Sequence, residues 1–122
     1  MSEFNPNVPI YQQIMSGIKQ DIVSGARKPG DKLQSVRELA EALTVNPNTV
    51  QRAYQELERE GVSETRRGTG TFIVEKESLI SDLKTEMAHS VIKSFIVGMR
   101  ALGFRDDAIV ATVKHELTGG RA

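Results

Sequence analysis

The chain has 122 residues, no cysteine, and equal numbers of basic and acidic residues, 16 of each. This length suits one compact domain, or a small domain with an appendage, and makes a large catalytic architecture unlikely on size alone. The lack of thiols excludes disulfides and thiolate metal sites, and neither His89 nor His115 has a cluster of ligands near it in sequence. We therefore expect no metal and no cofactor.

The order of the residues argues against membrane and secreted proteins. No run approaches the roughly 18 to 20 apolar residues of a membrane span. The first ten residues, MSEFNPNVPI, lack the charged-then-apolar order of a signal peptide. We expect a cytoplasmic protein without a membrane partner.

The first two predicted elements are helices. Isoleucines recur at every fourth position over 10–22, after Pro9, and Gly25 is expected to end this helix. The segment GARKPGDK that follows is rich in turn-forming residues. Ser35 begins the second helix, because Glu38 stands three residues later in the capping-box position. The residues of this helix expected to face the core are Val36, Leu39, Ala40 and Leu43.

A third helix follows the second after a short turn. Asn46 is a suitable N-cap, and Pro47 fits the first helical position because no amide hydrogen is needed there. Gly61 is expected to end the helix in the left-handed conformation. The apolar stripe expected to face inward consists of Val50, Ala53, Tyr54 and Leu57.

A hairpin is predicted directly after the third helix. The β-prone runs 62–65 and 71–74 flank the glycine-containing segment 66–70. A hairpin that follows a helix-turn-helix is called a wing. Beyond Ser78 the apolar spacing is helical again, and a last helix opens at Asp106 or Asp107.

These elements predict a mainly α (α+β) fold in two parts. Residues 1–76 would form a winged helix-turn-helix with a two-stranded wing. Residues 77–122 would form a short two-helix region.

The outward face of the third helix carries side chains suited to reading DNA bases. The stretch 44–55 contains one arginine and no acid. On a helical wheel Thr49 lies at the margin of the apolar stripe, and the side chains left outward are Asn48, Gln51, Arg52 and Gln55. Arginine can bond both acceptors of guanine, asparagine and glutamine can bond adenine, and a threonine methyl can contact thymine. The alternative is an ordinary solvated helix face, which would normally include Glu and Lys.

The start of the third helix and the wing are further candidate contacts. The segment 46–49 places hydrogen-bonding groups at a helix N-terminus, where free amides and the dipole favour a phosphate. In the wing, Gly68 and Gly70 permit a tight turn, while Arg66 and Arg67 can reach phosphates or a narrow minor groove. The alternative for the wing is a merely solvated hairpin tip.

With these residues in view, the chain closely resembles the GntR family of bacterial regulators, and within it the short YtrA-type subfamily. The resemblance spans nearly the full length and rests on the segments 9–14, 29–33, 35–40, 45–50, 52–54, 57–58 and 67–72 together with Gly61. It implies that Arg37 meets the DNA backbone or a base edge and that the wing tip enters the minor groove. Two residues depart from the family pattern. Gln34 replaces the usual proline and is expected to loosen the entry to the second helix, while Ser63 replaces an apolar residue and is expected to weaken the packing of the wing.

The residues predicted to bind DNA come from both helices of the helix-turn-helix and from the wing. Ser35, the cap of the helix that carries Arg37, is counted with them. The full set is Ser35, Arg37, Asn46, Asn48, Thr49, Gln51, Arg52, Gln55, Arg66, Arg67, Gly68 and Thr69.

The C-terminal region is predicted to form a dimer interface without an enclosed effector site. Its long helix carries more apolar surface than one short partner helix can cover, and exposed patches of that kind mark interfaces. The resemblance likewise implies that these helices pair with those of a second subunit. The predicted interface residues are Leu83, Met87, Val91, Phe95, Met99, Leu102, Ile109 and Val113. The alternative is that these helices fold back on the winged helix of their own chain.

We expect a sequence-specific DNA-binding transcriptional regulator, a repressor that acts as a homodimer on an inverted-repeat operator of double-stranded DNA. The resemblance implies a target that is often the regulator's own operon with ABC transporter genes. The alternative is a winged-helix protein-interaction module without DNA binding, which should carry acids on the outer face of its third helix. An enzyme is not expected, because the chain has no paired-carboxylate, nucleophile or phosphate-loop motif. The sequence identifies no small-molecule effector.

Overall fold

The computed structural model describes residues 4–120 of the chain. The helices in this part are α1 (Ile10–Ser24), α2 (Val36–Leu43), α3 (Pro47–Arg59), α4 (Leu79–Ala101) and α5 (Asp106–Leu117). The strands β1 (Ser63–Arg66) and β2 (Gly70–Ile73) form a two-stranded antiparallel sheet. The mainly α fold with a winged helix-turn-helix and C-terminal helices is therefore confirmed.

The helix ends fall where the capping residues predicted them. Gly25 follows α1 in the left-handed conformation, with φ of 89°. At the start of α2, the Glu38 amide donates to the Ser35 hydroxyl and the Ser35 amide donates to the Glu38 carboxylate, both at 3.0 Å. This pair is the predicted capping box. The hydrogen bond from the Ser35 amide also lowers the pKa of the Glu38 carboxyl.

The turn between α2 and α3 is tight. Thr44 adopts the left-handed conformation, with φ of 56°, and the amide of Val45 donates to the Ala40 carbonyl at 3.0 Å. Asn46 then caps α3, because its side-chain oxygen accepts from the Asn48 amide at 2.8 Å. These local bonds fix where the third helix starts.

One apolar core fills the first compact unit, which ends at Leu83. The core joins α1, α2 and α3 to the wing and to the first turns of α4, and its largest fully buried side chains are Ile14, Ile22, Leu57, Ile73 and Val50. An ion pair ties α1 to the end of α3, since Lys19 Nζ lies 2.6 Å from Glu60 Oε1. The orientation of α3 is thus set by both apolar packing and a charged contact.

The wing is bonded to the body of the domain by the segment that precedes α2. The backbones of Lys32 and Phe72 form an isolated antiparallel β-bridge. On either side of it, the Leu33 amide donates to the Thr71 carbonyl and the Ile73 amide donates to the Asp31 carbonyl, both at 2.8 Å. Ser63 is only 2% exposed, and its hydroxyl has no hydrogen-bond partner within residues 4–120. The backbone bonds anchor β2 independently of that side chain, whereas an unsatisfied buried hydroxyl is destabilising, so the expectation that Ser63 weakens the packing of the wing stays a prediction.

Gln34 lies at the entry to α2, and the expectation that it loosens this entry stays a prediction. Its backbone carbonyl accepts a hydrogen bond from the Tyr54 hydroxyl at 2.7 Å, which ties the entry of α2 to α3. Burial raises the pKa of Tyr54 to about 12, so this hydroxyl remains a donor throughout the neutral range. The entry to α2 is held in place without a proline.

The chain divides between Leu83 and Lys84, whereas the sequence placed the boundary after residue 76. Leu79 and Leu83 are 4% and 3% exposed, and both belong to the core of the first unit. The first turns of α4 are therefore part of the winged-helix unit. As a correction, Leu83 is not available as a dimer contact, because its own chain already covers it.

The second unit comprises the rest of α4 together with α5. It exposes several large apolar side chains, among them Val91, Phe95 and Leu102 at 69%, 40% and 75%. Ile109, another predicted dimer contact, is only 7% exposed in the single chain. None of the helices in residues 4–120 has the length and apolar character needed to cross a membrane.

Candidate DNA-binding surface

The two faces of α3 differ sharply in character. Val50, Ala53 and Leu57 on the inner face are fully buried, at 0% exposure. Thr49 is half-buried at the margin between the faces, as predicted. The predicted base-reading side chains are exposed on the opposite face, and they are Asn48, Gln51, Arg52 and Gln55. The helix therefore presents a row of amide and guanidinium donors on a convex surface, the shape that enters a DNA major groove.

The first acidic side chain of α3 is Glu56, and its charge is locally paired. Its carboxylate accepts hydrogen bonds from the guanidinium of Arg59 one turn later. This contact lowers the pKa of Glu56 and raises the pKa of Arg59. The acidic residues of α3 all lie in its last turns, and its N-terminal half has none.

Arg52 rests on a tyrosine that the sequence analysis did not select. Its guanidinium carbon lies 4.0 Å from the centroid of the Tyr11 ring, and its Nη2 lies 3.4 Å from the Tyr11 hydroxyl oxygen. Tyr11 stands on α1, 41 positions earlier in the chain. The only sequence signal was its place in the segment 9–14, which belongs to the family resemblance.

The wing holds two arginines in different environments. Arg66 lies over the Phe72 ring, with its guanidinium carbon 4.2 Å from the centroid, and its Nη2 is 3.8 Å from Glu64 Oε1. Arg67 is exposed at the tip, and no contact of its side chain is seen among residues 4–120. Gly68 has φ of 76°, which allows the tight turn closed by the Thr69 amide and the Arg66 carbonyl at 2.9 Å.

A lysine that the sequence analysis did not select lies beside the wing. The side chain of Lys32 passes close to Gly70, where a Cβ atom would stand 2.7 Å from Lys32 Cε. Glycine therefore permits this close approach. The lysine adds a positive charge near the tip, and no sequence motif pointed to it because the contact depends on the bridge between Lys32 and Phe72.

The remaining predicted contacts lie at the starts of the helices. Arg37 is exposed in the first turn of α2. Ser35 is exposed as well, but its hydroxyl already accepts the capping bond. The side-chain oxygen of Asn46 is similarly occupied, which leaves the amide NH₂ of Asn46 as the group free to donate.

A helix, a tight turn, a second helix whose polar face has no acid before Glu56, and a basic hairpin together define a winged helix-turn-helix DNA-binding domain. The chain belongs to the GntR family of bacterial regulatory proteins, because the model of that family matches residues 10–73.

Similar proteins carry the same description over nearly the whole chain. The HTH-type transcriptional regulator YhcF of Bacillus subtilis is 43% identical over 98% of this chain and 98% of its own length. The HTH-type transcriptional repressor YtrA of the same organism is 40% identical over 94% of this chain and 92% of its own. Among solved structures, a GntR family transcriptional regulator from Listeria monocytogenes is 45% identical, with a TM-score of 0.80 over 91% of this chain and 97% of that one.

A more distant structure contains DNA. The DNA-binding domain of AraR in complex with operator ORR3 is 30% identical, with a TM-score of 0.53 over 61% of this chain and 87% of that one. The prediction of a DNA-binding transcriptional regulator is thus confirmed at the level of the family, and the relatives are regulators, not enzymes.

Proposed function

We propose that this chain is a transcriptional repressor that binds an inverted-repeat operator as a homodimer. The observation that carries the proposal is the exposed polar face of α3, free of acids over residues 48–55, beside a basic wing. YtrA, which is similar over nearly the whole chain, is called a repressor. AraR, a relative of the winged-helix part, was solved on an operator.

In this proposal α3 lies in the major groove and the wing lies over the adjacent backbone or minor groove. Arg52 is the side chain best suited to discriminate among bases, because a guanidinium can bond two acceptors of guanine at once. Arg67 supplies charge to phosphates, and Arg37 adds a contact from the start of α2. The other proposed contacts are Ser35, Asn46, Asn48, Thr49, Gln51, Gln55, Arg66, Gly68 and Thr69.

The proposed dimer interface lies on one face of α4 in the second unit, together with part of α5. Val91 and Phe95 project on neighbouring angles of α4, Leu102 follows directly after the helix, and all three are exposed in the single chain. Met87, Met99 and Val113 are half-buried and complete the proposed contact. A soluble monomer rarely leaves so much contiguous apolar surface in water, so a second copy is the simplest occupant. Two-fold symmetry would place two copies of α3 about 34 to 36 Å apart, or at a multiple of that spacing.

Selection of bound duplexes from a random DNA pool tests the operator proposal. We expect an inverted repeat, and we expect Arg52→Ala to weaken binding by about 1 to 3 kcal/mol while relaxing the preference at one base pair of each half-site. Arg59→Ala is the matched control, because Arg59 is an exposed arginine on the same helix that pairs with Glu56. A pool without an enriched sequence, or equal losses on selected and random DNA, would contradict direct readout by Arg52.

Two substitutions on the same helix test the dimer. Val91→Asp places a charge on the proposed interface, whereas Val97→Asp places the same charge on the opposite face of α4, where Val97 is 62% exposed. We expect Val91→Asp to be a monomer in analytical ultracentrifugation and to bind the full operator weakly, while Val97→Asp remains a dimer. Dimers of both variants would refute the proposed interface.

The proposed regulatory target rests on the YtrA-type resemblance and not on the geometry of the chain. We propose that the operator lies upstream of the regulator's own operon and that this operon encodes an ABC transporter. A reporter driven by the promoter that contains the selected operator should be silenced by the intact chain and released by Arg52→Ala. Activation of the reporter by the intact chain would overturn the assignment as a repressor.

A further inference from the structure

We infer that Tyr11 is a positioning residue for DNA recognition, which holds the Arg52 guanidinium ready to bond a base. The inference rests on the proposed role of Arg52 in base readout. It adds a residue on α1, outside the helix-turn-helix and the wing, to the determinants of sequence preference.

The geometry around Tyr11 supports a fixed platform. The ring is half-buried and packs against the apolar core, which restrains its movement. The Arg52 guanidinium lies over this ring, with its carbon 4.0 Å from the ring centroid. The hydroxyl oxygen also accepts a bond from Gln12 Nε2 at 3.1 Å, in addition to the contact from Arg52 Nη2 at 3.4 Å. Polar contacts at the ring edge and packing beneath it therefore define one position for the guanidinium.

Stacking suits this arginine to a bidentate contact. A guanidinium that lies on an aromatic ring uses its face and keeps N–H groups at its edge available in the plane. Two parallel bonds to guanine require that edge. An arginine already confined to one orientation also loses less rotamer freedom on binding than an unrestrained one. Arg67, which has no contact of this kind in the described chain, is the natural comparison.

The decisive measurement is discrimination between two duplexes. One is the duplex selected by the unaltered chain, and the other differs from it at the base pair whose preference Arg52→Ala removes. We expect Tyr11→Leu to reduce the ratio of the two dissociation constants about two- to fivefold. Tyr11→Phe, which keeps the ring, should retain most of that ratio. In the Arg52→Ala background, Tyr11→Leu should cause no further change in discrimination.

The double-mutant cycle separates the possible failures. If Tyr11→Leu weakens binding to both duplexes equally, with a lower Tm, then Tyr11 serves only the core and the inference is overturned while base readout by Arg52 stands. If selection with Arg52→Ala shows no loss of preference at any base pair, the proposed readout by Arg52 fails, and the positioning role fails with it. If Tyr11→Leu does not fold, NMR order parameters of the arginine Nε–H groups in the unaltered chain test the positioning role instead. Arg52 should then be more ordered than Arg67, and equal values would overturn the inference.

Discussion

The two wing arginines should contribute unequally to the salt dependence of DNA binding. Arg66 already has a carboxylate partner, since its Nη2 lies 3.8 Å from Glu64 Oε1, and its guanidinium is stacked on Phe72. Arg67 has neither kind of partner within the part of the chain that the structure describes. Bringing Arg66 to a phosphate would also bring Glu64 toward it, which reduces the net attraction.

The magnitude follows from counterion release. Each neutralised phosphate contributes about 0.9 to the slope of log K against log salt concentration, so Arg67→Ala should lower the magnitude of the slope by about 0.9 per subunit and about 1.8 per dimer. Between 50 and 200 mM salt, a slope difference of about 1.8 makes the affinity loss roughly twelvefold larger at the lower concentration. Arg66→Ala should lower the slope by a smaller amount.

Fluorescence anisotropy titrations of the selected duplex across a series of KCl concentrations would measure these slopes. Glu64→Gln is the informative companion variant, because it removes the competing charge and should bring the contribution of Arg66 closer to that of Arg67. An Arg66→Ala effect equal to or larger than that of Arg67→Ala would refute the argument from pairing. Unchanged slopes in both variants would place the wing off the DNA.

Three further predictions concern stability and assembly. Asn46→Ala removes the cap of α3 and should lower the free energy of unfolding by about 1 kcal/mol in urea titrations; an unchanged midpoint would contradict the capping role. Leu79→Ala should cost about 2 to 5 kcal/mol because Leu79 is buried in the core, whereas Val91→Ala should change the monomer's stability little and weaken dimerisation instead; the reverse pattern would contradict the division of α4. The pKa of Glu38 is lowered below its ordinary value of 4.5 by the Ser35 amide, so the capping box stabilises the fold fully above that value and loses its effect as the pH falls through the lowered pKa. The difference in Tm between the unaltered chain and Glu38→Ala should therefore shrink in acid, and a constant difference would rule out the charged form as its source.

The sequence predicted best those helix ends that are determined by capping residues within a few positions of the end. The proline before α1, the glycine after it, the capping box at Ser35 and the cap at Asn46 all act on neighbouring backbone groups. Each strand of the wing is shifted by one residue from the predicted run toward the turn, which the bond between the Thr69 amide and the Arg66 carbonyl closes. Local chemistry was sufficient for this level of the fold.

The contacts that escaped prediction join residues far apart in the chain. Tyr11 meets Arg52 only because α1 packs against α3, and Lys32 reaches the wing only through its bridge to Phe72. Helical periodicity placed the whole of α4 in the second region, since it cannot tell which apolar residue faces which partner. Leu79 and Leu83 belong to the first core for the same tertiary reason.

The charge distribution bears on how such a protein could find its operator. The chain has no net charge at neutral pH, so its long-range attraction to DNA is weak compared with that of a strongly basic domain. The stretches 44–55 and 65–74 contain one and two arginines and no acid, and they include the proposed contacts of α3 and the wing. Non-specific binding depends almost wholly on phosphate contacts, whereas base contacts add only at the correct sequence. An arginine that is stacked and oriented for a base contact therefore favours a high ratio of specific to non-specific affinity, which is the quantity that decides occupancy of one operator among many competing sites.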